Sequence, residues 1–190
     1  MKIGIFGGTF DPFHQGHLKI AIEAAKKLDR VYIVPTICDY YRPDTRKLFT
    51  FDEKCTIITQ MISSAPGDIR INTIEKEQDS KWRTINTIEY FKKQFPNDEL
   101  YLIIGEDSYK NFETWFRYDD ILNLAKLMVV QRGTFEGLVR NPDVPCEELV
   151  IGKDFVEASS TKVRNKLISE LMDMYLSDAD WYNGVEEARK

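Results

Sequence analysis

The sequence is poor in the residues on which several common kinds of site and scaffold depend. It has 3 cysteines and 2 histidines in 190 residues. Cys38, Cys55 and Cys146 are odd in number and widely spaced, which disfavours a disulfide framework and a cysteine zinc knuckle. Reduced thiols fit this pattern better, so we expect a cytoplasmic protein.

Long apolar runs and clusters of positive charge are also missing. No apolar stretch approaches the ~18 residues of a membrane span, and the short N-terminal apolar run, broken by glycines, does not resemble a signal peptide. The formal net charge is −5 and no Lys/Arg block exceeds two residues, whereas a nucleic-acid surface normally shows a basic cluster. We expect neither a membrane nor a nucleic acid as partner, and favour a small ligand.

Two familiar phosphate-binding patterns are absent as well. The chain has no G-x-G-x-x-G followed about 20 positions later by an acidic residue, and no G-x-x-x-x-G-K-S/T. Its N-terminus instead carries an apolar run, Ile3 to Phe6, and then Gly7-Gly8-Thr9-Phe10-Asp11-Pro12-Phe13-His14-Gln15-Gly16-His17. Helical apolar spacing follows at Leu18, Ala21, Ile22, Ala25 and Leu28. The order is strand, tight loop, helix.

The loop at this junction suits an anion. The unpaired N–H groups and the dipole at a helix start attract phosphate, and glycines allow a ligand to approach the backbone. His14 and His17 can donate N–H bonds to phosphate oxygens where charge grows during a reaction. A structural histidine pair and a two-histidine metal site are the alternatives, although the sequence places no further zinc ligands nearby.

The rest of the chain alternates strand and helix patterns, which predicts an open, Rossmann-like α/β sheet with helices on both faces. Its ligand should lie outside the carboxyl ends of the strands. We expect a single domain over residues 1–190, with a core of residues 1–158 and a C-terminal helical part of residues 159–190. The predicted strands after the first are Val31–Pro35, Ile69–Ile74, Leu100–Gly105, Leu127–Gly133 and Glu148–Ile151.

Two local expectations concern the second quarter of the chain. Thr50 and Glu53 have the spacing of a capping box at the start of a helix. The charged run from Glu75 to Lys81 is expected to be a solvated loop.

The loop Gly7 to Pro12 with His14-x-Gly16-His17 resembles the signature of the nucleotidyltransferase superfamily, and most of all that of bacterial nicotinate-nucleotide adenylyltransferases. Ser159-Ser160-Thr161-Lys162-Val163-Arg164 is similar to the second signature of that family. The resemblance implies that His14, His17 and Arg164 act on the ATP phosphates during catalysis. It implies a set of ATP-binding residues: Gly7, Gly8, Thr9, Phe10, Gly16, Gly105, Asp107, Arg132, Ser159, Ser160 and Thr161.

The resemblance also implies an acceptor site. Thr84 would lie near the pyridine ring of the acceptor, Trp115 would stack on that ring, and backbone N–H groups around Phe116 would hold its carboxylate. Between Thr36 and Thr50 the family's Pro-Pro-His is missing, and Arg42 would fill the basic position that follows it. No protein metal ligands are implied, because Mg²⁺ would be held by the ATP phosphates.

The implied activity is transfer of AMP from ATP to nicotinate or nicotinamide mononucleotide in NAD biosynthesis, with release of pyrophosphate. Pantetheine-phosphate or another mononucleotide adenylyl transfer is an alternative within the superfamily. A non-catalytic adenine-nucleotide sensor is an alternative of another class. The partners expected are ATP and a pyridine mononucleotide, and the oligomeric state is left open, a homo-oligomer included.

Overall fold

A six-stranded parallel sheet forms the centre of the protein. The computed structural model describes residues 1–37, 48–78, 82–132, 141–151 and 159–170. Within them the spatial order of the strands is β3-β2-β1-β4-β5-β6, with every neighbouring pair parallel. This is the strand order of the dinucleotide-binding α/β fold, so the predicted fold class is confirmed. The strands are β1 (Lys2–Gly8), β2 (Arg30–Pro35), β3 (Ile69–Ile71), β4 (Glu99–Gly105), β5 (Lys126–Arg132) and β6 (Cys146–Ile151).

Helices connect the strands and cover both faces of the sheet. The helices are α1 (Gln15–Ala25), α2 (Phe51–Ile62), α3 (Thr84–Gln94), α4 (Glu106–Lys110), α5 (Tyr118–Leu124) and α6 (residues 160–170), with short 3₁₀ segments at Ile74–Glu77 and Phe112–Thr114. None of the helices in these ranges is long and apolar enough to cross a membrane.

The core has two layers because successive strand residues point to opposite faces of the sheet. On one face, Ile3, Ile5 and Leu102 pack against α3, α4 and α5. On the other face, Val31 and Ile103 pack against α1 and α2. Since strands buried on both faces must be apolar throughout, this explains the unbroken apolar runs of β1, β2 and β4.

The capping prediction for α2 is confirmed. Thr50 Oγ1 accepts the N–H of Glu53 at 3.3 Å, and Glu53 Oε2 accepts the N–H of Thr50 at 2.7 Å. This box fixes where α2 begins, and α2 carries a residue that the site depends on.

Two predictions for the segment after β3 were wrong in part. The strand ends at Ile71, because Asn72 Oδ1 accepts the N–H of Ile74 at 2.9 Å and turns the chain into the 3₁₀ segment. The solvated loop expected from Glu75 onward is this 3₁₀ segment as far as Glu77, with the Glu75 side chain half-buried. Residues 79–81 lie outside the described part of the chain.

Candidate active site

A cleft of about 730 Å³ lies at the carboxyl ends of the strands. β1 and β4 are neighbours there, and the chain leaves β1 toward β2 on one side and β4 toward β5 on the other. Loops that diverge from adjacent strands leave a crevice between them, which is where open α/β sheets bind ligands. The topology therefore places the cleft where the sequence predicted a ligand.

Most of the predicted site residues line this one cleft. Gly16 is instead buried in the first turn of α1, Arg132 is the last residue of β5, and Arg42 lies outside the described residues. The residues that line the cleft are Gly7, Gly8, Thr9, Phe10, His14, His17, Thr84, Gly105, Asp107, Trp115, Phe116, Ser159, Ser160, Thr161 and Arg164.

The two histidines form the N-terminal cap of α1. His14 is the N-cap residue, and its Nδ1 accepts the backbone N–H of Gly16 at 3.1 Å. Nδ1 of His17 accepts the backbone N–H of His14 at 3.3 Å. A ring nitrogen that accepts a hydrogen bond carries no proton, so Nε2 is the N–H donor in each neutral ring. The backbone thus fixes both tautomers.

Aromatic rings hold the histidines in place. The rings of His14 and His17 stack with centroids 3.7 Å apart, and Phe13 stacks on His17 at 5.3 Å. Phe10 meets His17 edge-on at 5.0 Å, and its backbone is left-handed, with φ of 46°. A non-glycine residue in that region costs of order 1–2 kcal/mol, and such strain collects at functional loops.

The paired glycines have different roles. A Cβ at Gly8 would meet the Phe10 ring at 2.8 Å, so Gly8 permits the packing that orients His17. A Cβ at Gly7 would find only the carbonyl oxygen of Val34, at 4.0 Å, so the space beside Gly7 is open. A ligand can approach the backbone there closely.

The start of α6 docks on the same loop. Ser160 Oγ donates to the carbonyl oxygen of Pro12 at 3.0 Å, and the Arg164 guanidinium donates to the carbonyl oxygen of Asp11 and, at 3.0 Å, to Thr161 Oγ1. The Asp11 carboxylate accepts the backbone N–H groups of Leu48 and Phe49 at 3.0 and 2.9 Å. Segments more than a hundred residues apart therefore meet at one short loop.

The other half of the cleft presents aromatic rings and backbone donors. Trp115 is half-buried beside Phe112, with ring centroids 5.3 Å apart, whereas Phe116 is 62% exposed. Among the described residues, no acceptor takes the backbone N–H of Phe116. Thr84 is the first residue of α3, and Arg83 rather than a threonine is its N-cap. Asp107 lies in the first turn of α4, directly after β4.

Comparison with known proteins assigns the chain to a family. The sequence profile of the cytidylyltransferase-like family matches residues 5–166. The nicotinate-nucleotide adenylyltransferase of Bacillus subtilis (strain 168) is 31% identical over 188 residues, which cover 98% of this chain and 96% of that protein. A protein of Trichlorobacter lovleyi, named a probable nicotinate-nucleotide adenylyltransferase, is 35% identical over 87% of this chain and 76% of its own length. The chain belongs to the nicotinate-nucleotide adenylyltransferase family.

Two further comparisons cover less of the relative or have a lower sequence identity. A probable nicotinate-nucleotide adenylyltransferase of Pelobacter propionicus is 39% identical over 70% of this chain, and the match spans 61% of the length of that relative. The solved Plasmodium falciparum nicotinic acid mononucleotide adenylyltransferase complexed with NaAD superposes with a TM-score of 0.69 at 18% identity, covering 86% of this chain and 82% of that one. At that identity the likeness shows the fold alone.

Lys54 supports two residues of the cleft and was missed by the sequence analysis. Its side chain is buried beneath the cleft, and Nζ donates to the carbonyl oxygens of Thr9 at 3.1 Å and Thr36 at 2.7 Å. It thereby ties the loop after β1 to the loop after β2. The helical spacing could have indicated its burial, because Lys54 precedes the buried Ile58 by four residues and therefore lies on the same face of α2.

Glu75 was missed as well. It lines the cleft, and its Oε1 accepts the hydroxyl of Thr87 at 3.1 Å. Burial raises the pKa of Glu75 to about 7, against the smaller opposing effects of the Thr87 hydrogen bond and the Lys54 charge. No sequence pattern marked it, because its burial depends on the 3₁₀ segment folding against α3.

The described residues contain no group of three or more His, Cys, Asp or Glu side chains that could hold a metal ion. Phosphate oxygens of a bound nucleotide can themselves bind Mg²⁺.

Replacing Lys54 by Met should destabilise the protein and disturb the cleft. Two carbonyl groups would lose a charged hydrogen-bond donor, at about 1–3 kcal/mol for each buried group left unsatisfied. Urea unfolding measures the loss. The matched control is Lys26→Met, since Lys26 is exposed and bonds Glu23 on the surface; it should change stability by less than about 0.5 kcal/mol. Equal stability of the two variants would contradict the role of Lys54.

Replacing Glu75 by Gln should change how stability depends on pH. The carboxyl ionises at the ordinary 4.5 in the unfolded chain but at about 7 in the folded protein. Between these pH values the folded state therefore holds a proton that the unfolded chain has lost. The protonated carboxyl contributes fully to stability below pH 4.5, and this contribution is lost as pH rises through 7. Between pH 4.5 and 8 the wild type should lose up to about 3 kcal/mol relative to Glu75→Gln.

Urea unfolding of both proteins at several pH values tests this. Glu77→Gln serves as the control, because Glu77 is an exposed neighbour in the same 3₁₀ segment and its variant should follow the wild-type profile. Parallel profiles for wild type and Glu75→Gln would rule out a raised pKa at Glu75.

Proposed function

We propose that this protein transfers AMP from ATP to nicotinate mononucleotide, releasing pyrophosphate, as a step of NAD synthesis. The observation that carries the proposal is the convergence of the start of α1 and the start of α6 on one loop at the mouth of the cleft. The B. subtilis relative, similar along nearly its whole length, bears the name of this activity.

The ATP triphosphate would lie between the two helix starts. Backbone N–H groups and helix dipoles attract anions at both. The Nε2–H groups of His14 and His17 add donors in fixed tautomers, and Arg164 adds a guanidinium. Because neutral imidazoles donate without a permanent charge, they can stabilise charge in the transition state and still let pyrophosphate leave.

In the reaction, an oxygen of the acceptor's 5′-phosphate attacks the α-phosphorus of ATP in line. The bond from that phosphorus to the bridging oxygen breaks, and its electrons leave with pyrophosphate. The protein's part in such chemistry is positioning and charge stabilisation, so no covalent intermediate is needed. Mg²⁺ bound to the ATP phosphates would neutralise part of the charge on the leaving group.

The rest of the cleft would bind the nucleosides. Asp107 in the first turn of α4 can accept hydrogen bonds from the ribose diol of ATP. At Gly105, the last residue of β4, the space that a Cβ would fill is open. Trp115 offers a flat face for a pyridine ring. The backbone N–H of Phe116, which no described residue accepts, suits a carboxylate and favours nicotinate over nicotinamide. Arg83 brings a positive charge to this part of the cleft.

A pyrophosphate-release assay tests the proposal. ATP with nicotinate mononucleotide should give rapid release, and nicotinamide mononucleotide and phosphopantetheine should give less. Binding of ATP without turnover of any acceptor would favour a nucleotide sensor instead. Preferred turnover of phosphopantetheine would assign another transferase of the superfamily.

Replacing His17 by Ala should reduce turnover by about 10²–10³, the usual cost of removing one donor to developing charge. The fold should persist, as judged by thermal unfolding. Gln15→Ala is the matched control, since Gln15 is exposed at the same helix start and does not line the cleft; its turnover should stay close to that of the wild type. Near-normal turnover in a folded His17→Ala protein would remove His17 from the mechanism.

A further inference from the structure

A chain of three hydrogen-bonded side chains lies in the wall of the cleft and has no part in the reaction described above. Trp82 Nε1 donates to Thr87 Oγ1 at 2.8 Å, and Thr87 Oγ1 donates to Glu75 Oε1 at 3.1 Å. An indole N–H can only donate, and the Thr87 hydroxyl that accepts it donates its own proton to Glu75. In this arrangement Oε1 is an acceptor.

The other oxygen, Oε2, belongs to a side chain that lines the cleft. Oε2 makes no hydrogen bond with any residue that the structure describes, yet it is not sealed from solvent. Because Oε1 accepts from Thr87, a proton on this carboxyl would sit on Oε2. Glu75 thus presents a hydroxyl donor to the cleft when neutral and a carboxylate acceptor when ionised.

The position of Glu75 is on the acceptor side of the cleft. Thr87 lies one helical turn after Thr84 on the same face of α3, and both line the cleft with Glu75 and Trp82. Under the proposed function, this is the side on which the pyridine ring binds.

Within the described part of the chain, few charges face this carboxyl. Lys54 on α2 acts on it electrostatically, and Arg83 at the start of α3 lines the same cleft. Lys76, next to Glu75 in the 3₁₀ segment, points away and pairs with Asp52 of α2 at 2.7 Å. Burial outweighs these cations, so the pKa of Glu75 rises to about 7 and both protonation states are populated near neutral pH.

We propose that Glu75 tunes how strongly the acceptor site prefers an anionic over a neutral pyridine substituent, an inference that rests on the proposed function. A neutral Glu75 donates its Oε2–H toward the carboxylate of nicotinate mononucleotide. An ionised Glu75 repels that carboxylate and accepts instead from the carboxamide of nicotinamide mononucleotide.

The preference should therefore depend on pH in a defined direction. As pH rises through 7, Glu75 loses its proton and the acid-over-amide preference falls. By linkage, a bound carboxylate raises the pKa of Glu75 to the same extent that ionised Glu75 weakens carboxylate binding. If carboxylate binding raises the pKa of Glu75 by about one, the protein with ionised Glu75 binds the carboxylate about tenfold more weakly than the protein with neutral Glu75. We expect the preference to fall about tenfold or more between pH 6 and pH 8.5.

The experiment measures kcat/KM for both mononucleotides at saturating ATP between pH 6 and pH 8.5. If the amide is not turned over, its inhibition constant against the acid replaces its kcat/KM. The two acceptors share their phosphate, ribose and pyridinium, so titration of those groups and of the histidines cancels in the ratio. In Glu75→Gln, which keeps an oxygen to accept from Thr87, the ratio should be flat.

Thr87→Val gives a second readout that a merely structural role would not produce. It removes the hydrogen bond that lowers the pKa of Glu75, so the midpoint of the change should move to higher pH. A flat wild-type ratio, or an unchanged slope in Glu75→Gln, would overturn the inference while leaving the proposed function intact. Failure of the wild type to use either mononucleotide would overturn both.

Discussion

The site depends on one local arrangement, the cap that two histidines place on α1. Helix starts usually take Ser, Thr, Asp or Asn as N-cap, because a short side chain can reach back to a backbone N–H. Here imidazoles perform that task through Nδ1, and Nε2 on the far side of each ring becomes a donor. The same contacts that begin the helix therefore prepare the rings for an anion. Loss of either contact would free the tautomer of the ring that makes it.

Three further interactions hold the loop around that cap, which we call the cradle (residues 7–17). The aromatic cluster of Phe10 and Phe13 holds His17, the Asp11 carboxylate holds the backbone at 48 and 49, and α6 closes on the same loop through Arg164. Preorganised donors stabilise charge without the cost of reorganising during the reaction. The cradle thus draws its rigidity from segments far apart in the chain.

Sequence patterns predicted much of this fold and site. The strands β1, β2 and β4 are apolar runs, and the capping box of α2 and the two signatures are local, so each could be recognised without knowing the fold. Lys54 and Glu75 were not identified in this way. Lys54 looks like one charge among many until Ile58 is seen to be buried on its face. Glu75 belongs to a charged run of sequence. It reaches the cleft because Asn72 turns the chain after β3.

The buried ammonium of Lys54 has a consequence for how the cleft attracts nucleotides. It lies behind the backbone of Thr9, shielded from bulk solvent, so mobile ions cannot gather around it as they do around surface lysines. Under the proposed function, part of the attraction for the ATP phosphates comes from a charge that they never touch. Raising the ionic strength should weaken this part of the affinity far less than it would weaken an attraction exerted by solvent-exposed charges.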